Sequence, residues 1–354
     1  MKKNSLISLT VLSLKQPKSG LMNIKRQLRK LVDNNPRLKP FLLMCYFKTT
    51  KSINDWPQKK FIKGVMDCYE RRVGYRFDIK HPVTFNEKLQ WYKTFYQRDD
   101  FGYITDKVTF KDYIKSKLGD GFTIPMYGWW DNIKDFERDW KSLPERFVLK
   151  SNLAANASGV IIIEKKSEVN FKQIKREMAF WLKKRNTLLN SWDCHFYNST
   201  PKILAEKYME DESGELRDYK FFCFDGSYSY FKVDYGRSKR HHANYYDANC
   251  LPVDMDVPTE ERDPQVKIIL PDNIKEMGAI ACKLSKGFPF VRVDFFSCNN
   301  KIYLSEMTFA PGGGCIRYPE WFDREMGKKI SLPIDNQINT GGVLLGDGFT
   351  LNAA

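Results

Sequence analysis

Three charged residues stand on runs that otherwise read as core strands. In PFVRVDFFSCNNKIYLSEMTFAPGGG, residues 289–314, Arg292 precedes Asp294 by two positions and Glu306 follows a short turn. Alternate side chains of a strand share a face, so Arg292 lies with Asp294, and Glu306 with Thr308. The turn decides whether the two pairs meet. A two-residue Asn299-Asn300 turn pairs 298 with 301 and sets Asp294 opposite Ser305, which sends Glu306 to the other face. A three-residue loop through Lys301 pairs 298 with 302 and sets Asp294 opposite Glu306. That loop needs a left-handed residue, which asparagine tolerates. If the two acids act together, the odd-length loop is expected. Opposed carboxylates destabilise a sheet, and a cation between them removes the penalty. Oxygen-only ligands favour Mg2+, which takes one or two carboxylates and completes its shell on substrate phosphates. The alternative is a pair of salt bridges in which Arg292 serves Asp294. The metal is preferred to it because buried charges are costly.

Other residues could join such a site. Lys107 follows Thr105-Asp106 in TDKVTFKDY, and Lys150 ends the apolar strand FVLK. Single lysines are more often surface residues, but Lys150 leads into SNLAANASG, a loop of small residues where backbone could approach a phosphate. It has no Walker pattern. In ILAEKYMEDESGELRDYKFFCFDG, a strand reaches Glu206-Lys207-Tyr208 and meets an acidic loop, after which Asp218 and Lys220 open a new strand. Backbone groups there could read an adenine edge, and an acid could accept from ribose hydroxyls. The plainer reading is a surface hairpin. The stretch DYGRSKRHHANYYD, residues 234–247, reads equally as an exposed loop and as a mobile cover bringing Arg237, Arg240 or His242 to an anionic substrate.

The elements that must hold these residues are legible in outline. TFNEKLQWYKTFYQRD opens with Thr84-x-x-Glu87, a capping box. A second helix is expected from Thr105 to Gly119. Strands are expected at 147–150, 160–164, 202–209, 219–226 and 228–234, helices at 171–188 and 272–286, and then the two strands that carry the acids. FDGSY and SCNNK read as hairpin turns, so the sheets should be largely antiparallel and the fold class α+β rather than a doubly wound parallel sheet.

The chain has 354 residues, 42% hydrophobic and 14% aromatic, enough for more than one lobe. Its net charge of +15 is uneven. Residues 1–60 hold 14 Lys/Arg against two acids, while the rest holds 44 against 41. A nucleic-acid partner for the whole protein therefore loses its support. Leu21, Ile24, Leu28 and Leu31 follow helical spacing between Lys25, Arg26, Arg29 and Lys30, which reads as a docked helix or as a basic amphipathic helix on an anionic membrane surface. SLISLTVLSL is too short to span a bilayer. The eight cysteines show no CxxC or zinc-like spacing, which points to a reducing, cytoplasmic compartment.

Together TFNEKLQW, TDK, FVLK with its loop, ILAEKYMEDESGELRDYKFFCFDG, LSKGFPFVRVDFF and KIYLSEMTFAPGGG resemble the ATP-grasp superfamily, most closely its TupA-like branch from bacterial surface-polysaccharide clusters, over about residues 83–333. The resemblance implies an ATP-grasp fold, two α+β subdomains gripping ATP between antiparallel sheets. With the charge and composition of the two ends, the chain is expected to divide into a basic, mainly helical segment (1–80), a helical part (81–145), a first subdomain with phosphate loop and hinge (146–210), a second with the metal and substrate site (211–333), and a loose tail (334–354). The resemblance implies Lys107 and Lys150 on the phosphates, Glu206, Lys207 and Tyr208 at an adenine hinge, and Asp218 or Glu215 near ribose. Asp294 and Glu306 would be Mg2+ ligands, with Thr308 where the family usually has asparagine. Arg292 would steady the transferring phosphoryl, helped by Lys220, and Gly312, Gly313 and Gly314 would leave room for an acceptor. The phosphate loop is longer and richer in alanine than the branch's glycine-rich one.

These residues together suit an ATP-dependent carboxylate–amine ligase working through an acyl phosphate. The resemblance implies that it joins an amine to a uronic acid of a capsule or O-antigen glycan; the cysteines point to the cytoplasm, and the basic N-terminus to peripheral contact with the inner face of the membrane. Two other readings remain open: a glycosyltransferase, for which Asp254-x-Asp256 in VDMD offers a metal motif, and a non-catalytic nucleotide-binding module.

Overall fold

The computed structural model describes residues 58–153, 159–183, 199–237, 240–263, 265–333 and 342–344. The chain divides into two units, Met1–Ser52 and Ile53–Ala354, and every described residue belongs to the second. The expected basic helix near residues 21–31, the middle of the phosphate loop, the end of the 171–188 helix and most of the tail lie outside the described residues.

Helices α1 (Gln58–Val73) and α2 (Phe85–Phe95) come first. The capping box at α2 forms as expected: Thr84 accepts from the Glu87 amide, and Glu87 accepts from the Thr84 amide. Such a cap contributes about 1 kcal/mol. Strand β1 (Tyr96–Arg98) follows, then α3 (Phe101–Thr105) and α4 (Thr109–Leu118). The helix expected from Thr105 to Gly119 thus begins later, at Thr109, and Asp106-Lys107-Val108 separate it from α3. There Asp106 accepts from the Val108 amide, a side-chain turn that competes with helix. Gly119 ends α4 at φ 89°.

A four-stranded sheet follows, built from β2 (Met126–Trp130), β3 (Phe147–Ser151), β4 (Val160–Ile163) and β5 (Ile203–Lys207) in the order β2-β5-β3-β4. Helices α5 (Ile133–Asp139) and α6 (Phe171–Lys183) lie between its strands in sequence. One face packs Phe147, Leu149, Ile163, Ile203 and Ala205 with Phe136 of α5 and Met178 and Trp181 of α6. The sheet takes β2 from before residue 146, where the first subdomain was expected to begin. MYGWW lacks the alternation of a half-buried strand, and the sequence pattern passes over it.

The larger sheet has six strands: β6 (Asp218–Phe224), β7 (Ser227–Tyr235), β8 (His242–Asp247), β9 (Pro252–Val253), β10 (Val291–Cys298) and β11 (Lys301–Thr308), in the order β11-β10-β6-β7-β8-β9. Its named strand pairs are all antiparallel. Helix α7 (Ile274–Ser285) covers one face, where Phe221, Phe231, Val233, Val293 and Phe295 meet Met277, Ala281 and the aromatics of α2 and α3. Helix α8 (Glu320–Lys329) and Phe85 close one end of the other face over Phe222 and Phe290. Strand β12 (Gly342–Leu344) pairs with β1. The stretch 234–247, read as loop or cover, is strand from His242 onward.

The hairpin carrying the acids differs from expectation. Asn299 and Asn300 both take positive φ, 51° and 55°, the two-residue turn that pairs Cys298 with Lys301. Asp294 nevertheless faces Glu306, because the register shifts between Phe295↔Leu304 and Asp294↔Glu306 and leaves Ser305 as a bulge. The bulge, rather than a longer turn, brings the acids together.

Candidate functional site

Strand pairing lays one polar row across five strands of the large sheet. Glu306, Asp294, Lys220, Lys232 and Tyr245 are register partners in sequence from β11 to β8. Beside it run Thr308 and Arg292 on one side, and Asp218 and Asp234 on the other. Asp294 is fully buried and takes the Arg292 guanidinium on both oxygens, at 2.7 and 2.6 Å. Arg292 Nη2 also reaches Glu306 Oε1 at 3.2 Å and Thr308 Oγ1 at 3.3 Å. The oxygens of Asp294, Glu306 and Thr308 therefore converge on one cationic nitrogen.

The charges continue along the row. Lys220 Nζ bridges Asp294 (2.6 Å) and Asp218 (2.5 Å), and Lys107 Nζ lies 3.7 Å from Glu306. Burial pushes the Asp294 carboxyl up to about 6, with Arg292 and Lys220 pulling the other way. Burial also works to raise Glu306, but Lys107, Lys220 and Arg292 hold it well below the carboxylate range. Burial likewise opposes the charge on Arg292, and Asp294 restores it, so the guanidinium stays charged.

Asp218 sits in this cluster. Arg237 is beside it, bridging Asp218 (3.0 Å) and Asp234 (2.9 Å). Arg240 and His242 point elsewhere: Arg240 pairs with Glu261, and His242 Nδ1 lies 2.9 Å from the Glu261 carbonyl. Gly312, Gly313 and Gly314 all take positive φ. A Cβ on Gly312 would meet Ile316 at 2.4 Å, and one on Gly314 would meet Gln90 at 2.5 Å. The room expected there for an acceptor is taken by the chain's own side chains. The positive φ values and these close approaches explain why the turn must be glycine, and Gln90 Nε2 and Lys93 Nζ hold it by donating to the Gly313 carbonyl.

The small sheet presents the second half of the site. Trp129, Leu204, Lys150 and Val160 form one row, and Met126, Glu206, Val148 and Ile162 the next. Trp129, Val160 and Ile162 are 45%, 38% and 53% exposed, an uncovered apolar face. Glu206 lies buried within it, with Lys111 and Lys150 each 2.5 Å from one of its oxygens. Burial works to raise the Glu206 carboxyl, but Lys150 and Lys111 hold it at about 2. Lys207 is exposed, its amide donating to the Pro125 carbonyl, and Tyr208 lies half-buried with Arg146 3.6 Å over its ring.

Residues 106–111 join the two halves. Lys107 reaches Glu306 of the large sheet, Lys111 reaches Glu206 of the small one, and Asp106 takes Lys202 Nζ and Asn152 Nδ2, both at 2.8 Å. The sequence reading missed Lys111, Asp106, Trp129, Lys232, Asp234 and Glu260. Lys111 carried a signal, lying four residues beyond Lys107, and so did Lys232 and Asp234, charges inside the apolar run of β7; Glu260 is far away in sequence and pairs with Lys232. Asp254 and Asp256 are exposed beyond β9. Among the described residues no group of three or more His, Cys, Asp or Glu has metal-site geometry, and no helix is long and apolar enough to cross a membrane.

Two antiparallel sheets, one face apolar with lysines and the other a row of hard oxygens and cations, define the ATP-grasp class. The sequence model of the TupA-like ATP-grasp family matches residues 87–331, and the chain belongs to that family. No curated protein matches it. Similar solved structures include N5-carboxyaminoimidazole synthetase from Staphylococcus aureus complexed with ADP, at 15% identity and TM-score 0.35, covering 65% of this chain and 53% of that one. D-Alanine-D-alanine ligase from Helicobacter pylori matches at 16% identity and TM-score 0.38, covering 71% of this chain and 67% of that one. The MgADP-bound biotin carboxylase domain of Hydrogenobacter thermophilus 2-oxoglutarate carboxylase matches at 14% and TM-score 0.40, covering 73% and 53%. The chain spans only about half the length of the first of these, the Staphylococcus aureus synthetase.

Proposed function

We propose that this protein is an ATP-dependent carboxylate–amine ligase. The observation that carries the reading is the pairing of the two faces: apolar rows with Lys150 on one, and converging hard oxygens beside Arg292 and Lys107 on the other. Trp129, Val160 and Ile162 suit the flat face of adenine. Lys107 and Lys150 offset phosphate charge.

Asp294, Glu306 and Thr308 fit Mg2+. All three present hard oxygens, and these already converge on a positive centre. With two carboxylates the set is short of a full shell, which substrate phosphates complete. Bound there, Mg2+ supplies charge neutralisation on the phosphate oxygens.

The chemistry follows from the chain's own groups. A substrate carboxylate oxygen takes the γ-phosphoryl of ATP and ADP leaves. The amine nitrogen then attacks the acyl carbon, phosphate departs, and the nitrogen gives up a proton. Arg292 and Lys220 stabilise the charge that develops on the transferring phosphoryl and on the tetrahedral centre. The family resemblance supports a uronic acid of a bacterial surface glycan as the carboxylate. The basic character of residues 1–60 supports peripheral contact with the inner face of the membrane.

The test is ADP release with Mg-ATP across a panel of uronic acids and amines. Release that needs both co-substrates, and that disappears in Asp294→Asn, is expected. No ADP above background anywhere in the panel refutes the reading.

A further inference from the structure

Glu206 has two counter-ions where one would neutralise it. Its carboxylate is buried on β5, with Lys111 Nζ on one oxygen and Lys150 Nζ on the other, both at 2.5 Å. The trio carries one surplus positive charge on a face that is otherwise apolar and uncovered.

The two lysines are not held alike. Lys111, on α4, also donates to the Ile124 carbonyl at 2.7 Å and is nearly buried. Lys150 stands at the end of β3 with Glu206 as its one ionic partner among the described residues. Lys150 is thus the cation that can leave, and Lys111 the one that stays. Without Lys111, Lys150 would be the sole counter-ion of a buried carboxylate, and turning away from it would strand that charge at large cost.

We propose that Lys111 is a positioning residue for the nucleotide site: it remains as the counter-ion of Glu206, so that Lys150 can turn to a nucleotide phosphate without leaving a buried charge unpaired. This rests on reading the cleft as a nucleotide site.

Titration calorimetry of the full chain with MgADP tests it, alongside KM for ATP against kcat. Lys111→Met is expected to weaken MgADP at least tenfold and to raise KM for ATP more than it lowers kcat. Lys111→Arg should stay within about threefold of wild type. The double variant Lys111→Met/Glu206→Gln removes the carboxylate that traps Lys150, and should recover affinity to within about threefold. A merely structural role for Lys111 would lower the melting temperature without this rescue. Wild-type affinity in Lys111→Met, or no recovery in the double variant, would overturn the proposal while leaving the nucleotide reading intact. Failure of the wild-type chain to bind MgADP or Mg-ATP would overturn both.

Discussion

The two faces of the cleft are built on opposite principles. The small-sheet face is apolar, with Trp129, Leu204, Val160, Val148 and Ile162 around three charges of which one cation is in surplus. The large-sheet face is dense with charge, and its ions serve one another: Arg292 with Asp294 and Glu306, Lys220 with Asp218 and Asp294, Arg237 with Asp218 and Asp234, Lys232 with Asp234 and Glu260. The first face has one pair to give up, Lys150 with Glu206, and keeps Lys111 on that carboxylate when it does. The second must exchange internal pairs for ligand contacts, so it favours something that brings both signs, as a polyphosphate with its cation does.

The sharpest way to break this contrast is to disable one face and ask whether the other still works. Arg292→Met should lower turnover about 10²–10³-fold, the scale for losing one preorganised charge at a reacting centre. Calorimetry should find MgADP affinity reduced only a few-fold. If affinity falls as far as turnover, the division of labour is wrong. Trp129→Ala should do the reverse. It should weaken MgADP roughly tenfold, within the ~1–3 kcal/mol that a base–aromatic stack contributes, with little change in melting temperature because the ring is largely exposed.

The charges also differ in what they do for stability. Glu206 has a folded pKa of about 2, below its ordinary 4.5. Its ionisation therefore adds stability above the unfolded value and loses it as pH falls from about 4.5 towards 2. Glu206→Gln should flatten the melting temperature against pH across that window, measured by differential scanning fluorimetry. The smallest effects separate two arginines that look alike in sequence. Arg237→Ala should cost about 1 kcal/mol, since it takes a partner from two buried carboxylates. Arg240→Ala should stay within ~0.5 kcal/mol in urea unfolding, because its pair with Glu261 is exposed.

The features the sequence made legible are those that depend on local chemistry. The capping box at Thr84, the short apolar runs of β3 to β7 and the turn residues at 225–226 and 299–300 are each readable from a few neighbours. So were the charged residues of β10 and β11, because charge inside an apolar run is conspicuous. What escaped depends on distant pairing. The bulge at Ser305 has no glycine to mark it, so turn length was asked to explain a register that a single extra residue sets. Glu206 reads as a hinge residue until Lys111, far away in sequence, is placed on it. The triple glycine promises space, and only its contacts with Gln90, Leu89 and Ile316 show that the space is filled. Arg237 and Arg240, three residues apart in sequence, take different partners, Asp218 and Asp234 for the first and Glu261 for the second, and the sequence shows neither pairing.

The segment from Asp106 to Lys111 touches both sheets through ionic contacts: Lys107 to Glu306, Asp106 to Lys202 and Lys111 to Glu206. Drawing the sheets apart at this segment would break Coulombic links rather than strip apolar packing. Each sheet is itself held by apolar packing. The links at this segment are largely buried, so simple salt screens them little. The gap between the sheets therefore opens by exchanging one set of charged partners for another, with each sheet left folded.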